Sequence, residues 1–275
     1  MTTDTTTETS TAVAGRSGAS PDAALSTVGL VKSFGSLTVT NDVSITLPKG
    51  ARFALIGPNG AGKTTLINLM TGMLPPDAGR ILLSGADITQ LSPEARVRRG
   101  LTRTFQINQL FPTLTPLEAV TLAVCERQRV SGTWWRRLPA YPQSIDEAHG
   151  ILAGLEFGAD AYRTTRELPY GRQRLLEIAL ALATKPTVLL LDEPAAGVPK
   201  DESAELFAAI SELPADISVL FIEHDMDLVF RFATRIIVLV AGAVLVEGTP
   251  AEIGADERVR EVYLGHAKTA RAAHG

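Results

Sequence analysis

The sequence is poor in the residues that cross-link a chain or attract nucleic acids. Cys125 is the only cysteine among the 275 residues, so no disulfide can form within the chain. Aromatic residues make up 5% of the sequence, which leaves a core of aliphatic side chains. Lysine and arginine together number 26, fewer than the 30 aspartates and glutamates, whereas nucleic-acid-binding domains usually carry a basic excess. We therefore expect no nucleic-acid partner and a core held together by aliphatic packing.

The sequence also lacks an apolar run long enough to cross a membrane. The longest run extends from Ile236 to Val246, well short of the roughly 20 residues that a spanning helix needs. Gly242 divides this run into two halves with strand character, which predicts a pair of buried strands. Residues 1–24 have neither the basic start nor the apolar centre of a secretory signal. Their Thr, Ser, Ala and Gly content predicts a disordered tail, and a regulatory or targeting arm is the alternative.

Strand and helix patterns alternate along the rest of the chain. Two nearly continuous aliphatic runs, at 187–192 and 218–224, are typical of strands covered on both faces. Further strands are predicted at 43–47, 52–56 and 80–85. Apolar residues at helical spacing predict helices at 64–70, 115–128, 146–157 and 173–184. This alternation favours an α/β core with parallel strands, interrupted by an irregular insertion at 129–144.

A glycine-rich segment follows the predicted strand at 52–56. It reads Gly57-Pro58-Asn59-Gly60-Ala61-Gly62-Lys63-Thr64-Thr65 and matches the phosphate-loop pattern G-x-x-x-x-G-K-[ST] between a strand and a helix. Glycines let backbone N–H groups close around a phosphate, and the following helix adds unpaired N–H groups and its positive dipole end. The lysine supplies a point charge and the first threonine a ligand for Mg²⁺. A glycine-rich turn beside a core strand is the structural alternative, but the complete motif in this context predicts a nucleotide site.

A pair of carboxylates closes the aliphatic run at 187–192. Asp192 stands at the end of the predicted buried strand, where a carboxylate can hold Mg²⁺. Glu193 comes next on the other side of the chain and can act as the base that activates water. Such a pair often serves only as a helix cap or a solvated edge. Its occurrence beside a phosphate loop favours the catalytic interpretation.

Taken together, these motifs resemble those of ABC-type ATPases, and more closely the ATP-binding subunits of branched-chain amino acid importers. The resemblance covers residues 25–266. Besides GPNGAGKTT, it rests on TFQINQLFPTLTPLEAV, LPYGRQRLLEIA, LLLDEPAAG, IEHDMDLV, and VEGTPAEI followed by EVYLG. It implies a P-loop ATPase core with a mostly parallel sheet, an antiparallel β-subdomain and an inserted helical subdomain. The core would comprise 25–106 and 172–266, the helical subdomain 107–171, and a C-terminal tail 267–275.

The resemblance implies functions for the matching residues around the phosphates. The loop at 57–65 would bind ATP, and Thr64, Gln106 and Asp192 would surround Mg²⁺. Gln106 would also sense the attacking water and relay its state to a membrane partner. Taken alone, Gln106 is simply a polar loop residue.

Three more residues take functions from the same resemblance. His224 would contact the γ-phosphate, although a lone histidine after a strand is more often structural. Phe34 would stack on adenine, with a core aromatic as the alternative. Gly171 would face the nucleotide bound on the opposite subunit.

Two segments depart from the family pattern. The signature, usually Leu-Ser-Gly-Gly-Gln, here reads Leu168-Pro169-Tyr170-Gly171-Arg172. Proline in place of serine removes a hydroxyl and an N–H group. The D-loop is one residue short, because Val198 runs directly into Pro199. Both segments would belong to a dimer interface, so the departures affect the site that this chain completes for its partner.

Two further groups stand outside these motifs. Trp134 and Trp135 lie in the insertion, where they predict a small satellite core or, alternatively, a docking patch for lipid headgroups or a membrane subunit. The arginines at 96–103 predict a solvated face.

The resemblance also implies partners and a location. Two ATPase subunits would sandwich two ATP molecules, with a heterodimer expected over a homodimer. They would drive membrane permease subunits at the cytoplasmic face of the membrane, and a solute-binding protein would act indirectly. Two alternatives are a soluble ABC ATPase of DNA repair or translation and a subunit that holds ATP but hydrolyses it poorly. The first usually has a long coiled coil or two cassettes in one chain, and this sequence has neither.

Overall fold

Two sheets form the framework of the protein, whose computed structural model describes residues 22–104, 110–130 and 141–263. The strands are β1 (Ala23–Phe34), β2 (Leu37–Pro48), β3 (Arg52–Ile56), β4 (Ala78–Leu83), β5 (Ala86–Asp87), β6 (Leu101–Arg103), β7 (Val188–Asp192), β8 (Ser218–Ile222), β9 (Arg235–Val240) and β10 (Ala243–Gly248). The helices include α1 (Lys63–Thr71), α2 (Pro93–Arg98), α3 (Pro116–Arg127), α4 (Pro142–Gly154), α5 (Tyr170–Leu182), α6 (Lys200–Ser211), α7 (Met226–Phe232) and α8 (Pro250–Ala255). Residues 257–263 are helical as well.

The larger sheet has the order β10-β9-β3-β8-β7-β6, and its strands are parallel except for β10 at one edge. Every residue of β3, β7 and β8 is buried, as the aliphatic runs predict. Because the carboxyl ends of parallel strands meet at one edge, the segments that follow these three strands are brought together. The predicted strand pair in the last apolar run is confirmed as β9 and β10.

The smaller sheet is antiparallel, with the order β2-β1-β4-β5. The sequence pattern does not reveal β1, because a register shift between Thr27 and Leu30 interrupts its alternation. The predicted tail at 1–24 is too long at its end: Ala23 and Ala24 belong to β1 and are each 2% exposed. Residues 1–21 lie outside the described ranges.

Helices α3 and α4 and two short 3₁₀ turns, at Gly158–Tyr162 and Thr165–Glu167, lie in the chain between β6 and α5. The predicted start of α4 at 146 is four residues late, because Pro142 occupies the first turn, where proline suits a helix. Part of the predicted insertion is therefore helical. Trp134 and Trp135 fall outside the described residues. Among the described helices, all are too short or too polar to cross a membrane.

The core lies on both faces of the larger sheet. Along β7, Leu189 and Leu191 join one apolar cluster with residues of α3 to α6, whereas Val188 and Leu190 join a second cluster with residues of α1, β1 and β2. This division follows from the alternation of side chains along a strand. The helical layer and the β-subdomain are thus packed against opposite faces of the same strands.

The prediction that the arginines at 96–103 form a solvated face is wrong for Arg96. Its side chain is 1% exposed and donates hydrogen bonds to the carbonyls of Leu69 at 2.7 Å, Met70 at 2.6 Å and Thr89 at 2.7 Å. The first two carbonyls lie near the C-terminal end of α1, where a cation complements the helix dipole. Arg96 therefore fixes the end of the helix that follows the glycine-rich segment.

We expect Arg96→Met to lower the free energy of unfolding by about 2–3 kcal/mol, since it leaves buried carbonyls without donors. Arg98→Met is the matched control, because Arg98 lies in the same helix and is exposed. Its effect should stay within about 0.5 kcal/mol. Urea unfolding of the two variants tests this, and equal effects would contradict the structural role of Arg96.

Candidate functional site

Lys63 folds back over the loop between β3 and α1. Its Nζ donates to the carbonyls of Gly57 at 2.7 Å and Pro58 at 3.1 Å, and the residue is 7% exposed. Burial lowers the pKa of Lys63, and the nearby charges of Glu193 and Asp192 oppose that shift. A buried ammonium group is thus held at the mouth of the loop, with two carboxylates close enough to act on it.

The N-terminus of α1 is open to an anion. Its N-cap is Gly62, in a left-handed conformation with φ 96°. Among the described residues, no side chain caps this helix end, and its first turn contains no acidic residue. A side chain at 62 would bring its Cβ within 2.5 Å of the Val39 carbonyl, so the close packing of β2 also requires glycine. Thr64 is exposed beside it. Open N–H groups, the lysine and this hydroxyl fit a bound phosphate.

Asp192 ends β7 with 5% exposure and forms an ion pair with Arg103 through Oδ2. Arg103 also donates to Asn68 Oδ1 of α1 at 2.6 Å, so it joins the helix after the loop to the strand that carries the carboxylate. The prediction that the arginines at 96–103 form a solvated face is therefore wrong for Arg103 as well. The ion pair was missed because its partners are 89 residues apart in sequence.

The oxygen donors of the site fit Mg²⁺. The described ranges contain no cluster of three or more His, Cys, Asp or Glu side chains able to hold a metal. Mg²⁺ is commonly held by one or two protein oxygens together with substrate phosphates, so a large cluster is not needed. The Thr64 hydroxyl and the Asp192 carboxylate are donors of that kind.

Glu193 and His224 form a direct contact. His224 Nε2 lies 2.9 Å from Glu193 Oε1, and their side chains are 48% and 24% exposed, respectively. Glu193 has a φ of 49°, a left-handed conformation uncommon for a non-glycine residue. Its N–H donates to the Ile222 carbonyl at 3.0 Å, which ties the turn after β7 to the end of β8. The structure thus unites two residues that are distant in sequence and leaves their polar ends accessible.

Glu223 was missed by the sequence analysis. It is 5% exposed, and its two carboxylate oxygens accept the N–H groups of Ala195 at 2.8 Å and of His224 at 3.1 Å. Burial raises the pKa of Glu223, these hydrogen bonds oppose the rise, and the Glu193 charge adds to it. An acid at the end of a buried aliphatic strand was the available signal, but its partner at 195 becomes evident only in three dimensions.

Gly171 is buried in the first turn of α5, a helix that spans the expected boundary between 171 and 172. Its N–H donates to Glu202 Oε2 of α6 at 3.0 Å. Arg172 turns toward other groups: it donates to the Glu156 carbonyl at 3.1 Å and lies 3.4 Å from Asp160 Oδ2. Within the described residues, this segment therefore packs against its own chain.

Phe34 and Gln106 were predicted to belong to the nucleotide site, and Tyr263 was not. Phe34 ends β1 with 49% exposure, so the alternative of a core aromatic is wrong. Gln106 lies outside the described residues. Tyr263 was not singled out from sequence: burial raises the pKa of its hydroxyl to about 12, and a hydrogen bond with the backbone of Gly57 lowers it. The C-terminal segment thus reaches the start of the phosphate loop.

Comparisons with known families agree with the site. A model of the ABC transporter family matches residues 40–196, and a model of the branched-chain amino acid ATP-binding cassette transporter family matches residues 243–269. The chain is 38% identical over 248 residues to the high-affinity branched-chain amino acid transport ATP-binding protein BraF of Pseudomonas aeruginosa, covering 87% of this chain and 96% of that protein. It is 38% identical over 252 residues to the corresponding protein LivG of Escherichia coli (strain K12), covering 88% and 98%.

Solved structures give the same result. The ADP conformation of an ATP-binding cassette of an ABC transporter superposes with a TM-score of 0.79 at 34% identity, covering 88% of this chain and 99% of that one. A nucleotide-free cassette superposes with a TM-score of 0.77 at 33% identity, covering 88% and 98%. The expected mixed fold, with a mostly parallel sheet beside an antiparallel one, is confirmed.

Proposed function

Because this chain belongs to the ATP-binding cassette family of ABC transporters and is an ATPase of that family, we propose that it powers an importer of branched-chain amino acids or a related small polar solute. The C-terminal family match and the named transport function of the relatives support this solute class. The single observation that carries the proposal is the buried Lys63 in an uncapped phosphate loop beside Asp192 and the Glu193–His224 pair.

The assembly that we propose has this chain paired with a second ATPase subunit, in a heterodimer rather than a homodimer, at the cytoplasmic face of the membrane. Membrane permease subunits would form the pathway, and a solute-binding protein would deliver the solute. We retain the division into a nucleotide-binding core at 25–106 and 172–266 and a helical subdomain at 107–171, with the start of the core moved to Ala23, where β1 begins. The family relationship supports this arrangement.

In the proposed mechanism, the open N–H groups of α1 and the Lys63 ammonium bind the β- and γ-phosphates of ATP. Phe34, exposed at the end of β1, stacks on adenine. Mg²⁺, when held by Thr64, Asp192 and Gln106, supplies charge neutralisation on the phosphates. The residues of this chain thereby orient the γ-phosphate toward the turn after β7.

The chemical step then belongs to Glu193 and His224. Glu193 Oε1 accepts the proton of the water that attacks the γ-phosphorus, as the bond between that phosphorus and the oxygen of ADP breaks. His224 Nε2, at 2.9 Å, orients this carboxylate and contacts the γ-phosphate. Gly171 completes the site of the partner subunit instead of the site of its own chain.

A reconstituted transporter tests the proposal. Uptake of leucine-type amino acids into vesicles that contain the permease and both ATPase subunits should require ATP, and Lys63→Ala should reduce it. We expect the variant to bind ATP about 10–100-fold more weakly, since a hydrogen bond to a charged group contributes about 1.5–3 kcal/mol. Lys49→Ala, at an exposed turn, is the control. ATP affinity equal to that of the control would reject the phosphate-loop assignment, and ATP-driven uptake of other solutes only would reject the amino acids.

A second function has one observation in its favour. The changed signature, with Pro169 in place of serine, fits a subunit that binds ATP yet hydrolyses slowly at the site that it completes for its partner. Measured turnover of the reconstituted complex distinguishes such a regulatory subunit from a fully active ATPase.

A further inference from the structure

Two segments of the candidate site, the turn after β7 and the end of β8, meet at the buried side chain of Glu223. The Glu223 carboxylate accepts the N–H of Ala195, two residues after Glu193, and the N–H of His224. Within the described residues, the Glu193 N–H also donates to the Ile222 carbonyl, and Glu193 Oε1 lies 2.9 Å from His224 Nε2. The pairing of β7 with β8 as far as Asp192 and Ile222 brings the two segments side by side, and the Glu223 carboxylate adds the bond that reaches Ala195, beyond Glu193.

We propose that Glu223 is a positioning residue. It holds the turn that contains Glu193 against the segment that contains His224, and so keeps the Glu193 carboxylate placed to act as the base for the attacking water. This inference rests on the proposed function, because it takes Glu193 as that base. Within the described residues, the hydrogen bonds of the Glu223 carboxylate go to Ala195 and His224 and not to the loop at 57–65. It should therefore influence the chemical step and not the binding of ATP.

The chemistry of the contacts explains why a carboxylate occupies this position. Two backbone donors converge on it, and an ionised carboxylate offers acceptors on both oxygens. Glutamine at 223 would keep one acceptor but would present its NH₂ group to the other N–H. Methionine at 223 would leave both buried N–H groups without an acceptor.

The bond from Ala195 to Glu223 stabilises a turn whose backbone conformation is unfavourable. Glu193 has a φ of 49°, and a non-glycine residue in this region persists only where its surroundings fix it. Without the bond to Ala195, the turn can relax toward an ordinary backbone conformation. The distance of 2.9 Å between Glu193 Oε1 and His224 Nε2 would then no longer be maintained.

Turnover and ATP binding of Glu223→Gln and Glu223→Met, in the full-length chain assembled with its transporter partners, test the proposal. We expect kcat to fall about 10–100-fold, as for other residues that orient a catalytic group, and to fall further with methionine than with glutamine. KM for ATP should stay within about 2-fold. Glu252→Gln is the matched control, because the Glu252 carboxylate also accepts a backbone N–H, that of Thr249 at 2.7 Å, but in the first turn of α8.

A double mutant separates positioning from loss of stability. Added to Glu193→Gln, Glu223→Gln should lower the residual turnover by less than about 2-fold, since residues that act through one another are not additive. A further loss of about 10–100-fold in that background would overturn the proposal, and so would normal kcat in Glu223→Gln or an equal loss of ATP affinity and kcat. If Glu193→Gln itself kept full turnover, the proposed function of Glu193 would fail, and the positioning role would fail with it.

Discussion

Replacing Glu193 with glutamine should leave ATP bound and lower turnover by about 10²–10⁴, the usual contribution of a positioned general base. The amide has nearly the shape of the carboxylate, so the turn and its bond to the Ile222 carbonyl should survive. What is lost is the basicity of the carboxylate, because an amide oxygen cannot take the proton of the attacking water. His224 would keep a hydrogen-bonding partner, because an amide oxygen can still meet its Nε2.

The same variant should accumulate a closed dimer in the presence of ATP, since the nucleotide that joins two subunits is no longer consumed. Size-exclusion chromatography with ATP and with ADP measures this, alongside phosphate release. Glu94→Gln, at an exposed position of α2, is the control for removal of a carboxylate. Turnover of Glu193→Gln close to that of the control would mean that another group is the base.

The parts of the fold that follow from local patterns were predictable from sequence. Strands β7 and β8 are nearly unbroken aliphatic runs, because parallel strands are buried on both faces, and the phosphate loop has a fixed order of residue types. Strand β1 was not predictable in this way. Its register shift near Gly29 removes the alternation on which strand prediction depends.

Charged side chains show the limit of sequence reasoning. Arg96 was expected in solvent because of the arginines around it, yet two of its partners are carbonyls 26 and 27 residues away in the chain. Glu223 belongs to the site through an N–H group 28 residues away. Neither contact can be recognised from the sequence, because its partner is a backbone carbonyl or N–H group and such groups are present at nearly every position.

The two ATP sites of a heterodimer with an ordinary partner should be unequal. In the proposed dimer, each site would combine the phosphate loop of one subunit with the signature of the other, and this chain has an intact loop but an altered signature. Pro169 offers neither the serine hydroxyl nor an N–H group to a phosphate. Loss of one donor to a developing charge slows a reaction by about 10²–10³. We therefore expect the site with Lys63 and Glu193 to perform most of the hydrolysis.

Two contacts of the signature strengthen this expectation. The Gly171 N–H donates to Glu202 Oε2 at 3.0 Å, so a phosphate approaching that N–H has to displace a carboxylate of like charge. Arg172 could offset the missing hydroxyl only by reaching a phosphate. Its guanidinium instead binds the Glu156 carbonyl and lies beside Asp160, in contact with the helical layer of its own chain.

Single-turnover rates resolved for each site decide the question in the assembled complex. One rate is measured with Glu193→Gln in this chain and the other with the matching base variant in the partner, so that each experiment reports the remaining site. The site completed by Pro169 and Gly171 should be about 10²–10³ slower. Pro169→Ser is the matched variant, and the hydroxyl that it adds should bring the slow rate closer to the fast one. Equal rates at the two sites of the complex in which Pro169 is unchanged would reject the asymmetry.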